Sequence, residues 1–351
     1  MNKEQWCRAY EPAPESFRYA VQAALKTKEE KTMKKAISRT AVLAIALCLL
    51  MSTALAAGIG LLDFLHTNDT GEIQVIKPEI MSKTQGKMQI EVQEAACDGM
   101  TAHIVVAYKL EDAKMVWDVY SESVEEADKE KVVFFQENQM VQVNGEENYS
   151  YGFDFRQISD EEIVADYLID LRKLPGKVPD ELYVSLGLRT MDMQWETLEK
   201  CGVEVKIPVQ KANQQVYVAE GLPLEQDNYR LLSAQVVRTD IGCYLTVEAE
   251  DVATAEEMEP YVEDYNVMIN RYPLQGNFGM KALDENGNEY KVLYALTRHL
   301  NESDVETVVH CQVETILQRF DVGDTLTLFP VVNHSAFEGV LKPITLKLQA
   351  K

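Results

Sequence analysis

Catalytic signatures are missing from this chain. It has no Gly-x-Ser-x-Gly elbow, no His-Glu-x-x-His pair, no phosphate-binding loop and no dinucleotide-binding glycine pattern. Its five histidines, His66, His103, His299, His310 and His334, show no metal spacing with one another or with cysteine and read as surface or packing residues. The segment "DENGNEY", residues 284–290, has acidic and amide residues at alternate positions. Its glycine stands fourth rather than sixth and no glutamate stands twelfth, so an Asn-Gly hairpin turn accounts for it better than a calcium loop. An enzyme is not expected, nor a cofactor or a metal.

Basic charge is also in short supply. Thirty-four Lys and Arg stand against 57 Asp and Glu, a formal balance of −23. The deficit is uneven: residues 1–40 carry nine basic and five acidic side chains, a balance of +4, which leaves −27 for the remainder. An acidic body of this kind repels polyanions, so nucleic acid is excluded as its partner.

Long hydrophobic runs are absent with one exception. Thr40 to Leu62 is 23 residues without a charge. As a helix it would extend roughly 35 Å, enough to cross a bilayer core of about 30 Å. Ala54-Leu55-Ala56 resembles a signal-peptidase site, but a cleaved signal core needs only about 7 to 15 apolar residues, and here Ile59, Leu61, Leu62, Phe64 and Leu65 prolong the run. Retention as a single-pass anchor is therefore expected, with cleavage, or translation from Met33, as the alternatives. Six basic residues between Lys26 and Arg39 against Asp63 beyond the run set the N-terminus in the cytoplasm and the rest outside the cell membrane. Cys48 follows Leu47 rather than a small residue, which argues against a lipoprotein.

In front of the run, Pro14 and Glu15 start a short helix on which Phe17, Val21, Ala24 and Leu25 form one apolar stripe, with Arg18, Gln22 and Lys26 turned away. Trp6 and Tyr10 precede it at one-turn spacing. So short a helix is marginal alone in water, and its stripe needs a cover. A hydrophobic groove on a cytoplasmic protein and the inner membrane surface are the two available covers, a disordered tether being the third reading.

The order Pro14, Phe17, Val21, Leu25, a lysine-rich stretch, an apolar span ending Ala-Ala-Gly-Ile-Gly, and the hairpin-like "EAACDGMTAHIVVAYKL" resembles a group of single-pass, anti-sigma-factor-like membrane proteins of Gram-positive bacteria. The resemblance covers most of residues 10–210. It implies that residues 1–39 hold an extracytoplasmic-function sigma factor inactive while the exterior part receives a signal. Trp6, Tyr10, Phe17, Val21 and Leu25 are then the partner-binding stripe. Zinc-containing anti-sigma domains carry His-x3-Cys-x2-Cys. Here the only cysteine before the apolar run is Cys7 and no histidine precedes His66, so such a module would be metal-free.

Helical periodicity is scarce downstream of Leu65, apart from a helix expected near Asp251 to Tyr265. The dominant period is two: Val184, Leu186 and Leu188; Val203, Val205, Ile207 and Val209; Ile344, Leu346 and Leu348. Asp98-Gly99, Asn144-Gly145, Pro175-Gly176 and Asn286-Gly287 punctuate the strands. The expected fold is mainly β, two tandem Ig-like β-sandwiches at 66–210 and 214–351 after a cytoplasmic segment (1–39) and a transmembrane helix (40–62). Cys243 and Cys311 are in phase with core positions, and buried thiols are preferred to a disulfide; Cys97 and Cys201 are read the same way. The alternative function is a surface-anchored binding or structural module without a sigma-factor role.

Overall fold

The computed structural model describes residues 59–65, 73–84, 86–116, 132–136, 141–147, 151–194, 196–226, 228–252, 254–261, 263–284, 286–300, 309–333 and 337–351. The stripe Trp6, Tyr10, Phe17, Val21 and Leu25, the span 40–58, Cys7, Cys48, His66 and His334 lie outside them.

The alternating patterns become strands. In the first half these are β1 (Glu79–Thr84), β2 (Gln89–Cys97), β3 (Thr101–Lys109), β4 (Lys114–Val116), β5 (Val132–Gln136), β6 (Val141–Val143), β7 (Glu146–Glu147), β8 (Tyr151–Ser159), β9 (Glu162–Asp170), β10 (Glu181–Met191) and β11 (Thr197–Pro208). They make a four-stranded antiparallel sheet, β2-β3-β9-β8, and a second sheet, β1-β11-β10-β5-β4, in which β6 also pairs with β10 and β7 with β6. The two sheets share one core. Ile90, Val92, Ile104, Val106 and Tyr167 enter from the first, and Leu182, Val184, Leu186, Val203 and Val205 from the second. Tyr108 and Tyr167 satisfy each other inside this core through hydroxyls 2.7 Å apart, and burial pushes both phenols above their ordinary range.

Turn chemistry fixes the hairpins. Asn144 and Gly145 both have positive φ, 55° and 84°, the combination that a two-residue turn between twisted strands requires. Gly99, at φ 83°, does the same after Asp98 between β2 and β3.

The second half comprises β12 (Gln215–Ala219), β13 (Leu224–Gln226), β14 (Tyr229–Arg238), β15 (Gly242–Asp251), β16 (Phe278–Leu283), β17 (Val292–His299), β18 (His310–Gln318), β19 (Thr325–Val332) and β20 (Ile344–Ala350). They form one sheet in the order β16-β19-β20-β12-β14-β15-β18-β17, with β13 on β14. The sheet curls until its ends meet: the Thr297 and Thr315 hydroxyls, on β17 and β18, donate to the Phe278 and Met280 carbonyls of β16. Leu245, Val247, Phe278, Met280, Leu328 and Ile344 fill the interior.

Helices are short: α1 (Leu61–Phe64), α2 (Ala255–Met258) and α3 (Tyr265–Arg271). The helix expected near Asp251 to Tyr265 is realised in short pieces, α2 and a 3-10 turn at Glu259–Tyr261, with α3 following. Asp251 instead ends β15, opposite Tyr229, with its carboxylate accepting from Val309 N at 3.0 Å. The longer helix starts after Asp264, whose side chain caps it by accepting from Val267 N.

No helix among the described residues is long and apolar enough to cross a membrane. The expected transmembrane helix does not reach Leu62, because the end of the apolar run is packed against protein. Leu61 and Leu65 are fully buried and Phe64 nearly so, against Ala96, Val105, Ala107 and Val164 of the first half and Ile241 of the second.

Candidate functional site

β3 and β9 are buried along nearly their whole lengths, so the four-stranded sheet has cover on both faces. Even-numbered residues of β3 and odd-numbered residues of β9 point into the first core. The opposite face presents Thr101, His103, Val105 and Ala107 from β3 and Val164, Asp166, Leu168 and Asp170 from β9. The second half and α1 cover that face, which makes it a seam.

Apolar contact supplies part of the seam. Leu168 packs with Val237, Tyr244 and Ile316, with Leu293 and Tyr294 alongside. Gly152 on β8 lets β17 come close: a Cβ there would stand 3.2 Å from the Tyr294 ring and 3.3 Å from the Leu293 carbonyl. α1 is held by polar contacts as well. Glu94 Oε2 accepts from Leu61 N at 2.6 Å, and Arg156 donates to the Asp63 carbonyl at 2.7 Å while lying over the Phe64 ring.

Polar groups latch the rest. Asp98 is fully buried, and its Oδ1 accepts from the backbone N–H of Met100 and Thr101, both at 2.8 Å. Its Oδ2 reaches across the seam, accepting from the Thr239 hydroxyl at 2.6 Å and the Tyr244 hydroxyl at 2.7 Å. Burial, then the Asp98 charge, holds the Tyr244 phenol well above its ordinary range. Arg172 grips Asp170 through two 2.8 Å bonds and lies over the Tyr244 ring, and Lys173 forms an ion pair with buried Glu314 of β18. These contacts join residues 58–351 into one compact unit.

Beside the latch the seam leaves a partly open cavity of about 170 Å³, lined by Phe64, Phe153, Asp154, Asp166 and Leu168 on one side and Lys291, Val292 and Leu293 on the other. Asp154 and Asp166 face each other across the β8–β9 ladder. Asp166 is 4% exposed, and its Oδ2 lies 2.8 Å from His103 Nδ1. A carboxylate oxygen can only accept, so Nδ1 carries the proton of that bond. Asp166 Oδ1 and His103 Nε2 have no hydrogen-bond partner. A half-satisfied buried carboxylate is costly and prefers a donor or a cation. Among the described residues no group of three or more potential metal ligands occurs.

His103 is the packing case of the histidine reading, with one specific partner: it is fully buried and diagonal to Asp166, since it sits opposite Leu168 while Asp166 sits opposite Val105. The sequence does carry a signal. His103 and Asp166 are the polar interruptions of the otherwise apolar runs "AHIVVAY" and "IVADYLI".

The four described cysteines are free and buried. Cys243 pairs across from Leu317 and Cys311 from Ala249, six residues apart on the same ladder, so about 20 Å separates them. No disulfide spans that. Cys201 touches Met88, before the start of β2, whereas Cys97 ends β2. Burial pushes the Cys97, Cys201 and Cys311 thiols up to about 12 and Cys243 to about 11.

No protein-family model matches the chain, and no curated protein matches it. Among solved structures, one described as the crystal structure of the conserved domain protein from Bacillus anthracis aligns at 9% identity and a TM-score of 0.46, covering 82% of this chain and 93% of that one. A likeness so distant says nothing about function.

Proposed function

We propose that this protein is a single-pass, membrane-anchored regulator of the anti-sigma-factor-like kind. Residues 1–39 lie in the cytoplasm and bind a sigma factor through Trp6, Tyr10, Phe17, Val21 and Leu25. The apolar run is the anchor, and the β body is extracytoplasmic; its first half is the expected two-sheet sandwich, whereas its second half is a single curled sheet. The observation that supports this reading is the docking of α1. The end of the apolar run is tied through Leu61, Phe64 and Leu65 to residues of both halves, so a change at the seam would be felt where the chain leaves the bilayer. Even without Ile59 to Leu62, residues 40–58 would extend about 28 Å as a helix, close to the bilayer core.

The test is a pull-down with residues 1–39 as bait, paired with Phe17→Asp and Leu25→Asp in the full chain. Recovery of a sigma factor and deregulated target transcription in both variants are expected. Normal regulation in both variants would sink the proposal.

The cavity favours a second reading, a surface-anchored binding module without a sigma-factor role. It expects replacement of residues 1–32 by unrelated sequence to leave the phenotype intact.

A further inference from the structure

We infer that the seam cavity is a binding site for a small organic ammonium ion carrying an apolar body, with Asp166 and Asp154 as its counter-charges. Size comes first. An apolar protein cavity of about 150 Å³ holds benzene, and this one is about 170 Å³. Walls come next: Phe64, Leu168 and Leu293 give an apolar body a limited contact in a lining that is mostly polar.

Charge then selects the ligand. Asp166 is buried, and with Oδ2 committed to His103 its Oδ1 has no protein donor. Asp154, half-buried, is its cross-strand neighbour, so two carboxylates meet at one end of the cavity. An ammonium group brings three donors and a positive charge to these oxygens. A hard divalent cation fits poorly, because it takes six or more oxygen ligands and the lining brings only the carboxylates of Asp154 and Asp166, with no group of three or more potential metal ligands among the described residues. Lys291 stands on the exposed side of the cavity. It would pair with the carboxylate of a zwitterionic ligand, so simple amines and amino acids are two sources of the same ammonium chemistry.

The site rests on the cavity and not on the sigma-factor reading, which the pull-down tests separately. The experiment is calorimetric titration of the full-length chain in detergent micelles with benzylamine, benzyl alcohol, benzoate and phenylalanine. Saturable benzylamine binding is expected, with benzyl alcohol and benzoate weaker by at least about tenfold. Binding of phenylalanine more tightly than benzylamine would assign the amino-acid source, and the reverse order the simple amine. Asp154→Asn should weaken benzylamine several-fold and Leu293→Trp, which fills the cavity, should abolish its binding. Asp166→Asn should weaken it further than Asp154→Asn, the thermal midpoint of each variant showing that it is folded. Equal affinity for benzyl alcohol and benzylamine, absence of saturable binding to the wild-type chain, or indifference to both Asp154→Asn and Leu293→Trp would overturn the inference and leave the cavity to water.

Discussion

Asp98 and Tyr244 meet across the seam, 146 residues apart in sequence, through a 2.7 Å bond from the phenol hydroxyl to a fully buried carboxylate. Removing one donor from a buried charge leaves part of it unsatisfied. Tyr244→Phe should therefore destabilise the body by about 1–3 kcal/mol. Asp98→Ala should cost more, because Met100 N, Thr101 N and the Thr239 and Tyr244 hydroxyls all lose an acceptor. Urea midpoints of the two variants check the order. An unchanged midpoint in Asp98→Ala would show that the latch contributes nothing.

Phe64 is 1% exposed and under the Arg156 guanidinium. Truncation to alanine removes packing worth about 3–5 kcal/mol at a core site. Here the loss should appear locally, as α1 leaving the seam. Faster amide exchange at Leu65 with unchanged exchange in β15 is the expected signature.

Asp251 gives a pH dependence whose sign is fixed. Desolvation raises its carboxyl from the ordinary 3.8 to about 6, partly offset by the Val309 N–H and Gln275. Between those values the folded chain keeps a proton that the unfolded chain has released. Stability from this group thus falls as pH rises through the window, by up to roughly 3 kcal/mol, and stays lost above it. Asp251→Asn keeps an acceptor for Val309 and Gln275 without the charge. The variant should exceed the wild type in urea midpoint at pH 7 and converge with it near pH 4. A constant difference across that range would contradict the assignment.

The thiols at Cys97, Cys201, Cys243 and Cys311 are buried with raised pKa values, so almost none is thiolate at neutral pH. Mass spectrometry after treatment with a disulfide-exchange reagent should find these four unmodified in the folded chain and all four modified in denaturant. Labelling of any of them under native conditions would show that its burial is transient.

Strand content was legible because its cause is local. Period-two alternation at Val184–Leu188 and Val203–Ile207 follows from one face meeting a core, and left-handed backbone at Asn144-Gly145 follows from the turn. β3 and β9 obscured the rest. Covered on both faces, they read as apolar runs interrupted only by His103 and Asp166, and nothing in their spacing says that these two share a side.

By itself the sequence determined the acidic, strand-rich body, its turn positions and the core phase of its cysteines, since each depends on neighbours a few residues away. The tertiary structure alone decided that Cys243 and Cys311 lie too far apart to bond, that Leu61 and Phe64 pack on protein, and that Asp98 finds Tyr244 while Asp166 keeps an unpartnered oxygen beside a cavity. Those outcomes are set by ladder register and by how two sheets meet face to face, relations between residues far apart in the chain that local periodicity does not encode.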